Sequence, residues 1–320
     1  MTRPYDGAVE AEVVGRRAVA RDVLEVELRP VDGGPWPDHD AGAHVDVWLP
    51  NGLVRQYSLV APARAAATCR IAVLKAADSR GGSVYVHERL LTGHRLLVSE
   101  PKNTFELADA GPGPVLIAGG IGVTPLLAMA RTLAARGRPF AFHYQVRTPD
   151  RAAYAAELRG LVPEGALHVR ADFDDGFFPA AEVLRAAGPE TSVYVCGPEA
   201  FMEFVRKEGE AAGVAAEAFH VEHFKHDADT AGHPFTLTAV RSGATVEVGA
   251  ADTPSRALAR AGVFVPTACE QGVCGTCVVR VLGGSPDHRD VVLSAAEKAS
   301  GQVMALCCSR ASGQSIAVDL

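Results

Sequence analysis

The sequence predicts three consecutive domains: an antiparallel β-barrel, a doubly wound α/β domain and a small α+β domain. Two observations support this division. The hydrophobic pattern changes near residue 108, from alternation with a period of two to alternating strands and helices. Five of the seven cysteines then fall between Cys269 and Cys308. With 320 residues, two or three domains are expected. We therefore predict domains at 1–108, 109–226 and 227–320.

The composition limits the classes of function. Hydrophobic residues make up 48% of the chain and charged residues 22%, which is typical of a globular protein with packed cores. The net charge of -7 argues against nucleic acid as the main partner, because phosphate binding needs an excess of Lys and Arg. No apolar run is long enough for a membrane span, and residues 1–6 lack the apolar core of a signal peptide. We therefore predict a cytoplasmic protein without disulfides.

The barrel prediction rests on short alternating segments. Leu24, Val26 and Leu28 alternate with charged residues, and similar strand-like runs are separated by Gly and Pro. This pattern is typical of a small antiparallel barrel. One helix is predicted within it at residues 83–91. The further predicted strands are 45–49, 54–60, 69–75 and 95–99.

The second domain alternates between buried strands and helices. Such alternation favours a parallel sheet covered by helices on both faces. The predicted strands are 115–118, 140–146, 167–171 and 192–196. The predicted helices are 124–136, 151–161, 180–187 and 199–212.

The third domain follows a polar stretch at 226–233, which we interpret as a linker. Residues 235–240 and 244–248 predict a hairpin that turns at Ser242-Gly243. A helix is expected at 255–261. Ser294 and Glu297 have the spacing of a capping box that opens another short helix.

The cysteine cluster carries the strongest chemical signal. Cys269, Cys274 and Cys277, followed by Cys307, have the spacing of a plant-type [2Fe–2S] site. Gly272 and Gly275 would allow the loop to turn tightly around the cluster and point N–H groups at the sulfurs. Zinc is the competing interpretation, but zinc sites usually contain two close pairs of ligands. Because Cys308 is adjacent to Cys307, chemistry alone leaves the fourth ligand open.

A flavin is expected because nicotinamide donates two electrons together, whereas a [2Fe–2S] cluster accepts one at a time. In Arg55-Gln56-Tyr57-Ser58, the arginine is suited to a phosphate, and the tyrosine and serine to the ring. The segment Ser79-Arg80-Gly81-Gly82-Ser83 opens the predicted barrel helix, a position suited to a phosphate. Val73-Leu74-Lys75 would run beside the ring.

A nicotinamide site is predicted at the carboxyl ends of two strands. Glycines 119, 120 and 122 follow the first buried strand, where an open sheet binds ligands, and would let a pyrophosphate approach. Thr124 is predicted to cap the helix that follows, with Pro125 in its first turn. Cys196-Gly197-Pro198 ends a later strand and is expected to face the nicotinamide, although a buried structural role for Cys196 is equally compatible with the sequence.

Together these motifs resemble the phthalate dioxygenase reductase family, which includes vanillate O-demethylase reductases, over nearly the whole chain. Its members join an FMN domain, a nicotinamide domain and a C-terminal plant-type ferredoxin of β-grasp fold. The motifs that carry the resemblance are Arg55-Gln56-Tyr57-Ser58, Ser79-Arg80-Gly81-Gly82-Ser83, Gly119-Gly120-Ile121-Gly122-Val123-Thr124-Pro125, Val195-Cys196-Gly197-Pro198, Cys269-Glu270-Gln271-Gly272-Val273-Cys274-Gly275-Thr276-Cys277, Pro286-Asp287-His288-Arg289-Asp290 and Cys307-Cys308-Ser309-Arg310.

The resemblance implies FMN rather than FAD, NADH as the donor and Cys307 as the fourth iron ligand. It implies that Phe224 covers the flavin and that Arg147 and residues 173–175 lie near the adenosine of NADH. Ser58, Cys196 and Phe224 would be the catalytic residues. The implied cofactor-binding residues are Arg55, Gln56, Tyr57, Ser58, Val73, Leu74, Lys75, Arg80, Gly81, Gly82, Ser83, Gly119, Gly120, Thr124, Arg147, Asp174, Cys196, Gly197, Pro198 and Phe224.

Three functions follow as hypotheses. The first is an NADH-dependent reductase that supplies a partner oxygenase. The family resemblance implies a Rieske-type aromatic dioxygenase or demethylase, with a cytochrome P450 as the alternative. The second is a redox sensor that binds the same cofactors without turnover. The third is a free-standing flavin reductase or NADH oxidase. The histidine-rich residues 220–226 are interpreted as a solvated linker in preference to a metal site.

Overall fold

The computed structural model describes residues 7–108, 111 and 113–320, apart from the side chain of Phe173. Residues 1–6, which are predicted to lack a signal peptide, lie outside the described residues. Residues 109 and 110, at the first predicted domain boundary, also lie outside them. The chain forms two compact units, which divide between Glu222 and His223. Among the described residues, no helix is long and apolar enough to cross a membrane.

The first unit begins with an antiparallel barrel, as predicted. Its strands lie in the order β4-β3-β6-β1-β2-β5, β7 pairs with β3, and a bridge between Leu59 and Ile71 links the two ends. Alternate side chains fill its interior, among them Val26, Leu28 and Val45. The elements are β1 (Val9–Ala20), β2 (Val23–Pro30), β3 (Ala43–Trp48), β4 (Val54–Ser58), β5 (Cys69–Leu74), α1 (Gly82–Glu88), β6 (Arg95–Val98) and β7 (Lys102–Asn103).

A parallel five-stranded sheet completes the first unit, with strand order β10-β9-β8-β11-β12. Its apolar strands are buried, as expected for a sheet covered by helices. Its elements are β8 (Val115–Gly119), α2 (Val123–Ala135), β9 (Ala141–Val146), α3 (Ala155–Leu161), β10 (Leu167–Ala171), α4 (Asp172–Asp175), α5 (Ala180–Ala187), β11 (Val193–Cys196), α6 (Glu199–Ala211) and β12 (Phe219–Glu222).

The second unit is a β-grasp domain: a mixed five-stranded sheet in the order β14-β13-β19-β15-β17, beside a short β16-β18 ribbon. The predicted hairpin is β13 and β14, and the predicted capping box on Ser294 and Glu297 is present. The elements are β13 (Phe235–Ala239), β14 (Ala244–Val248), α7 (Pro254–Arg260), β15 (Val278–Gly283), β16 (Pro286–Asp287), α8 (Ala295–Ser300), β17 (Val303–Ala305), β18 (Arg310–Ala311) and β19 (Ser315–Val318).

Three sequence predictions were wrong in detail. Thr124 does not cap α2, because a 3-10 turn leads directly into the helix, and the threonine hydroxyl donates to the carbonyl of Ile121. The predicted helix at 151–161 is interrupted by Tyr154, whose φ is 61°, so α3 begins only at Ala155. Residues 220–222 are not a solvated linker, because they form most of β12, where Glu222 is buried.

Candidate redox sites

The four predicted cluster ligands are buried thiols that come together from two segments of the second unit. The thiol of Cys269 lies close enough to those of Cys274 and Cys307 to interact with them, and Cys307 also interacts with Cys277 and with its neighbour Cys308. The neighbouring Cys308 has its Sγ 3.9 Å from the hydroxyl of Ser309. Of the two adjacent cysteines, Cys307 is the one whose thiol interacts with both Cys269 and Cys277, in line with the fourth ligand that the family resemblance implies.

The loop that carries three of these thiols has the tight turns that its glycines predict. Gly272 and Gly275 have φ values of +72° and +74°. A Cβ on Gly272 would lie 2.6 Å from the Sγ of Cys308, so a side chain is excluded there. The backbone N–H of Gln271 donates to the Cys269 sulfur at 3.3 Å. This backbone N–H would stabilise a thiolate at Cys269, the form that iron requires.

The donor set fits a two-iron cluster better than a single zinc ion. Within the described ranges, no three His, Cys, Asp or Glu side chains are arranged to hold one metal ion. A tetrahedral zinc site needs four donors around one point. A [2Fe–2S] cluster instead spreads its four cysteines over two irons, and buried thiols from two segments suit that division.

In the first unit, the predicted phosphate residues lie together at the start of α1. Arg55, on β4, packs so closely over Gly82 that a Cβ there would lie 2.6 Å from the arginine Nε. The Ser83 hydroxyl donates to Ser79 Oγ at 3.0 Å, and the N–H of Gly81 donates to the same oxygen at 3.1 Å. A cation and a glycine-containing turn therefore meet at one place, beside the exposed loop residue Arg80.

The strand residues predicted to line the flavin differ in their surroundings. Val73 is buried in the barrel core, and its carbonyl accepts a hydrogen bond from His87 Nε2 when that nitrogen carries the proton (2.8 Å). Leu74 packs at the edge of the core of the nucleotide half. Lys75 forms an ion pair with Glu88 at 2.8 Å. Tyr57 packs against the barrel core, and burial raises its pKa. Gln56, the remaining predicted residue of β4, is half-buried opposite Asp46.

Three buried polar side chains meet where strands β4, β11 and β12 end. Ser58 Oγ lies 3.5 Å from Glu222 Oε2. Burial raises the pKa of Glu222 to about 8, so this carboxyl group is mainly protonated at neutral pH. Burial and the nearby Glu222 also raise the pKa of Cys196 well above its ordinary value, so Cys196 is a neutral thiol. Ser58 and Cys196 were predicted, whereas Glu222 was not.

The glycines of the nucleotide loop have separate roles. A Cβ on Gly122 would lie 2.1 Å from the carbonyl oxygen of Cys196, and one on Gly119 would lie 2.8 Å from the ring of Phe201. Gly197 packs against Gly119 in the same way, with 3.0 Å between its Cβ position and the Gly119 Cα. These glycines therefore let two loops approach each other. Gly120 has a φ of +54° and open space around it, which leaves room for a ligand.

The remaining predicted residues lie at the ends of elements. Arg147 and Asp174 are exposed and follow the neighbouring strands β9 and β10. Pro198 immediately precedes α6. Phe224 is 38% exposed in the segment after β12. Phe173 was also predicted near the adenosine, but its side chain is not among the described parts of the structure.

Comparison with known proteins agrees with this arrangement. A family model described as an oxidoreductase NAD-binding domain matches residues 116–207, and a 2Fe-2S iron-sulfur cluster binding domain matches residues 237–312. The vanillate O-demethylase oxidoreductase of Pseudomonas sp. (strain HR199 / DSM 7063) is 43% identical over 98% of this chain and 100% of its own length. The chain belongs to the vanillate O-demethylase oxidoreductase family. As a member, it is an NADH-dependent oxidoreductase with FMN and a [2Fe–2S] cluster as its cofactors.

Other relatives of the family extend the comparison. The tetrachlorobenzoquinone reductase of Sphingobium chlorophenolicum is 38% identical over the full length of both chains. The solved phthalate dioxygenase reductase is 34% identical, covers 98% of both chains and has a TM-score of 0.74. An intact type IV self-sufficient cytochrome P450 monooxygenase is 35% identical over 98% of this chain and 41% of its own, with a TM-score of 0.87.

Proposed function

We propose that this protein takes a hydride from NADH and delivers its electrons singly to a separate oxygenase. The observation that carries the proposal is that one chain holds both a flavin–nicotinamide unit and a unit with four converging thiols. When bound, FMN accepts electrons in a pair and releases them one at a time, which is the chemistry that links the donor to an iron–sulfur centre. The chain's own residues then bind, orient and tune these groups.

In the flavin half, we assign phosphate binding to Arg55 and the turn at Gly81, Gly82 and Ser83. The packing of Arg55 over Gly82 supports this assignment because it brings a fixed positive charge to the turn that opens α1. Tyr57 and Ser58 follow on the same strand and would lie along the ring. Any other residue at position 82 would displace the arginine.

We assign proton handling to Ser58 and Glu222. A neutral carboxyl group can donate a proton through the hydroxyl 3.5 Å away, and it can accept one after ionising. The raised pKa of Glu222 lies near the pH at which a cytoplasmic enzyme works. Cys196, held neutral beside it, would shape the nicotinamide pocket without acting as a nucleophile.

For the nicotinamide dinucleotide, we assign the pyrophosphate to the open turn at Gly120. The exposed side chains of Arg147 and Asp174 would hold the adenosine half, because both follow strands at the carboxyl edge of the sheet. Gly197 and Pro198 shape the loop that faces the nicotinamide. The proposed iron ligands are Cys269, Cys274, Cys277 and Cys307.

The partner is proposed to be a Rieske-type aromatic oxygenase or demethylase. This choice is supported by the relatives, which include a vanillate O-demethylase oxidoreductase and a 3-chlorobenzoate-3,4-dioxygenase reductase subunit. A cytochrome P450 is the second candidate. It is favoured by the similarity to a self-sufficient P450 monooxygenase, whose chain contains a region like this whole protein.

Replacement of one proposed ligand tests the route of the electrons. Cys274→Ser should abolish NADH-driven reduction of cytochrome c while sparing reduction of ferricyanide, which takes electrons directly from the flavin. Cys308→Ser is the matched control and should retain both activities. If Cys274→Ser reduced cytochrome c at the wild-type rate, the cluster would not lie on the route. A flavin that never bleached on mixing with NADH would favour the sensor hypothesis instead.

Reconstitution with purified oxygenases tests the choice of partner. The reductase is mixed with NADH and either a Rieske-type demethylase or a cytochrome P450, and product formation per NADH consumed is measured. Tight coupling to the demethylase alone is expected. Coupling to the P450 alone would support the second candidate, and rapid NADH oxidation without coupling to either would support a free-standing flavin reductase.

A further inference from the structure

Two segments of the second unit have no role in the proposed electron route, and they pair with each other. Pro286-Asp287 and Arg310-Ala311 form the antiparallel β16-β18 ribbon. The ribbon leads directly to Asp290, whose side chain has no exposed surface. Burying a carboxylate is costly unless it is hydrogen-bonded or paired, so its surroundings need an explanation.

Asp290 is held by donors from both sides. The hydroxyl of Ser309 donates to Oδ1 at 3.2 Å, and the backbone N–H of Leu293 donates to Oδ2 at 2.9 Å. The ammonium group of Lys298 lies 3.8 Å from Oδ2, and the imidazole of His288 lies 3.6 Å from Oδ1. Two hydrogen bonds and a nearby cation therefore satisfy this buried carboxylate.

The segment around Asp290 connects the two segments that supply the thiols, through its carboxylate on one side and its backbone on the other. Ser309 follows Cys307 by two residues, so its hydrogen bond to Asp290 restrains the segment of the fourth thiol. On the other side, the N–H of Val291 donates to the carbonyl of Gly272 at 3.0 Å, within the loop of the other three. A Cβ on Gly272 would lie 2.9 Å from the Cα of Asp290, so the two backbones are in direct contact.

The charge of Asp290 also affects the energy of an electron on the cluster. Reduction adds negative charge to a group already surrounded by thiolates. A buried carboxylate against the cluster loop therefore opposes reduction, and a nearby ammonium group favours it, because charges interact strongly where water is excluded. Local charges and hydrogen bonds are among the factors that set the potential of such clusters.

We propose that Asp290 is a positioning residue that sets the reduction potential of the iron–sulfur cluster, with Lys298 as its opposing charge. Its carboxylate fixes the Cys307 segment through Ser309 and keeps the potential low enough for electrons to leave toward the partner. This inference rests on the cluster ligands assigned under the proposed function.

The test is a pair of charge variants with opposite expected effects, measured by spectroelectrochemical titration at one pH so that His288 contributes equally throughout. Asp290→Asn keeps the shape and removes the negative charge, so the cluster potential should become more positive. Lys298→Gln removes the cation, so the potential should become more negative. Asp319→Asn changes a carboxylate that is 35% exposed and paired with Arg241, and it should leave the potential unchanged.

A third variant separates position from charge. Ser309→Ala removes the hydrogen bond but retains the carboxylate. It should release iron to a chelator faster than wild type, with a smaller change in potential than Asp290→Asn produces. A role in folding alone would not give shifts of opposite sign in Asp290→Asn and Lys298→Gln.

The outcomes distinguish the inference from the proposed function. Variants that retain a full cluster spectrum but share the wild-type potential would overturn the role of Asp290 and leave the electron route intact. If Asp290→Asn assembles no cluster, the cluster potential of Lys298→Gln becomes the test. An unchanged or more positive potential in Lys298→Gln overturns the inference. A wild-type protein without a cluster after reconstitution would instead contradict the ligand assignment itself.

Discussion

Glu222 in the first unit and Asp290 in the second are both buried carboxyl groups, yet their surroundings differ. Asp290 accepts hydrogen bonds from Ser309 and Leu293 and lies near a lysine. Among the described residues, Glu222 has a single, long side-chain hydrogen bond, to Ser58 at 3.5 Å, and its pKa is raised to about 8. Burial alone therefore does not determine the role of a carboxyl group. A partnered group keeps its charge and holds segments together, whereas a poorly partnered one keeps a proton that it can exchange.

Arg310 in the second unit and His44 in the first differ in a similar way. Arg310 is 1% exposed, and its guanidinium donates to four backbone carbonyls and lies over the ring of Phe235, although its Nε has no hydrogen-bond partner among the described residues. In the first unit, neither ring nitrogen of His44 has a hydrogen-bond partner among the described residues, although the side chain is buried. Burial lowers the pKa of His44 to about 4, so the ring is neutral.

The largest expected effect comes from Arg310. Arg310→Met would leave four partly buried carbonyls without their donor, so we expect the second unit to lose about 3–5 kcal/mol of stability. Loss of cluster absorbance with rising urea concentration measures this, while flavin fluorescence reports on the first unit. Arg241→Ala, at a side chain that is 73% exposed, is the control and should cost less than about 0.5 kcal/mol. Equal urea midpoints for Arg310→Met and Arg241→Ala would show that the hydrogen bonds of Arg310 do not stabilise the second unit.

The second prediction concerns pH and Glu222. A folded-state pKa of about 8, against an ordinary 4.5, means that the folded protein binds this proton more tightly than the unfolded chain does. The contribution of this proton to the free energy of unfolding is therefore complete below pH 4.5 and is lost as the pH rises to 8. The free energy of unfolding falls over this range by at most about 1.4 kcal/mol per pH unit. Glu222→Gln should flatten the decline in unfolding free energy over this range.

Glu222→Gln should also change how the rate of flavin reduction by NADH depends on pH. An amide does not titrate, so any part of the pH profile that comes from this carboxyl group should disappear. Stopped-flow bleaching of the flavin by NADH measures the rate. Glu217→Gln, at an exposed glutamate of the same unit, is the matched control. A wild-type rate and pH profile in Glu222→Gln would mean that the buried carboxyl group is only structural.

A smaller effect is expected at the nucleotide loop. Gly122→Ala would place a methyl group 2.1 Å from the Cys196 carbonyl and force the two loops apart. We expect a loss of about 1–3 kcal/mol and a higher KM for NADH. Gly160→Ala in α3 has open space around it and should be neutral or slightly stabilising. Thermal unfolding and steady-state kinetics of both variants provide the comparison, and matching behaviour would show that the close approach is unimportant.

Local patterns predicted most of the fold, and the proposed cluster site also rests on a local pattern. Three of the four thiols are within nine residues, so their spacing indicates a single loop directly. The alternation of strands and helices identified β10 and α5 at their observed bounds. Thr124 was misassigned because a glycine turn that continues as a 3-10 helix leaves no separate cap in the sequence.

Long-range partners were not predictable in the same way. Ser58 and Glu222 are 164 residues apart, and Asp290 and Ser309 are 19 apart, so neither pair leaves a local pattern. One usable signal was overlooked. Glu222 ends a strand at the same edge of the sheet as Cys196, and polar residues at that edge are candidates for ligand contact.

Anaerobic stopped-flow mixing of the reconstituted protein with NADH tests the electron route most directly. The flavin absorbance should bleach first, the cluster absorbance should follow within the same turnover, and a sample frozen at that point should give the paramagnetic signal of a reduced [2Fe–2S] centre. A flavin that bleaches while the cluster stays oxidised would contradict the account, because the two units would then not form one path for electrons.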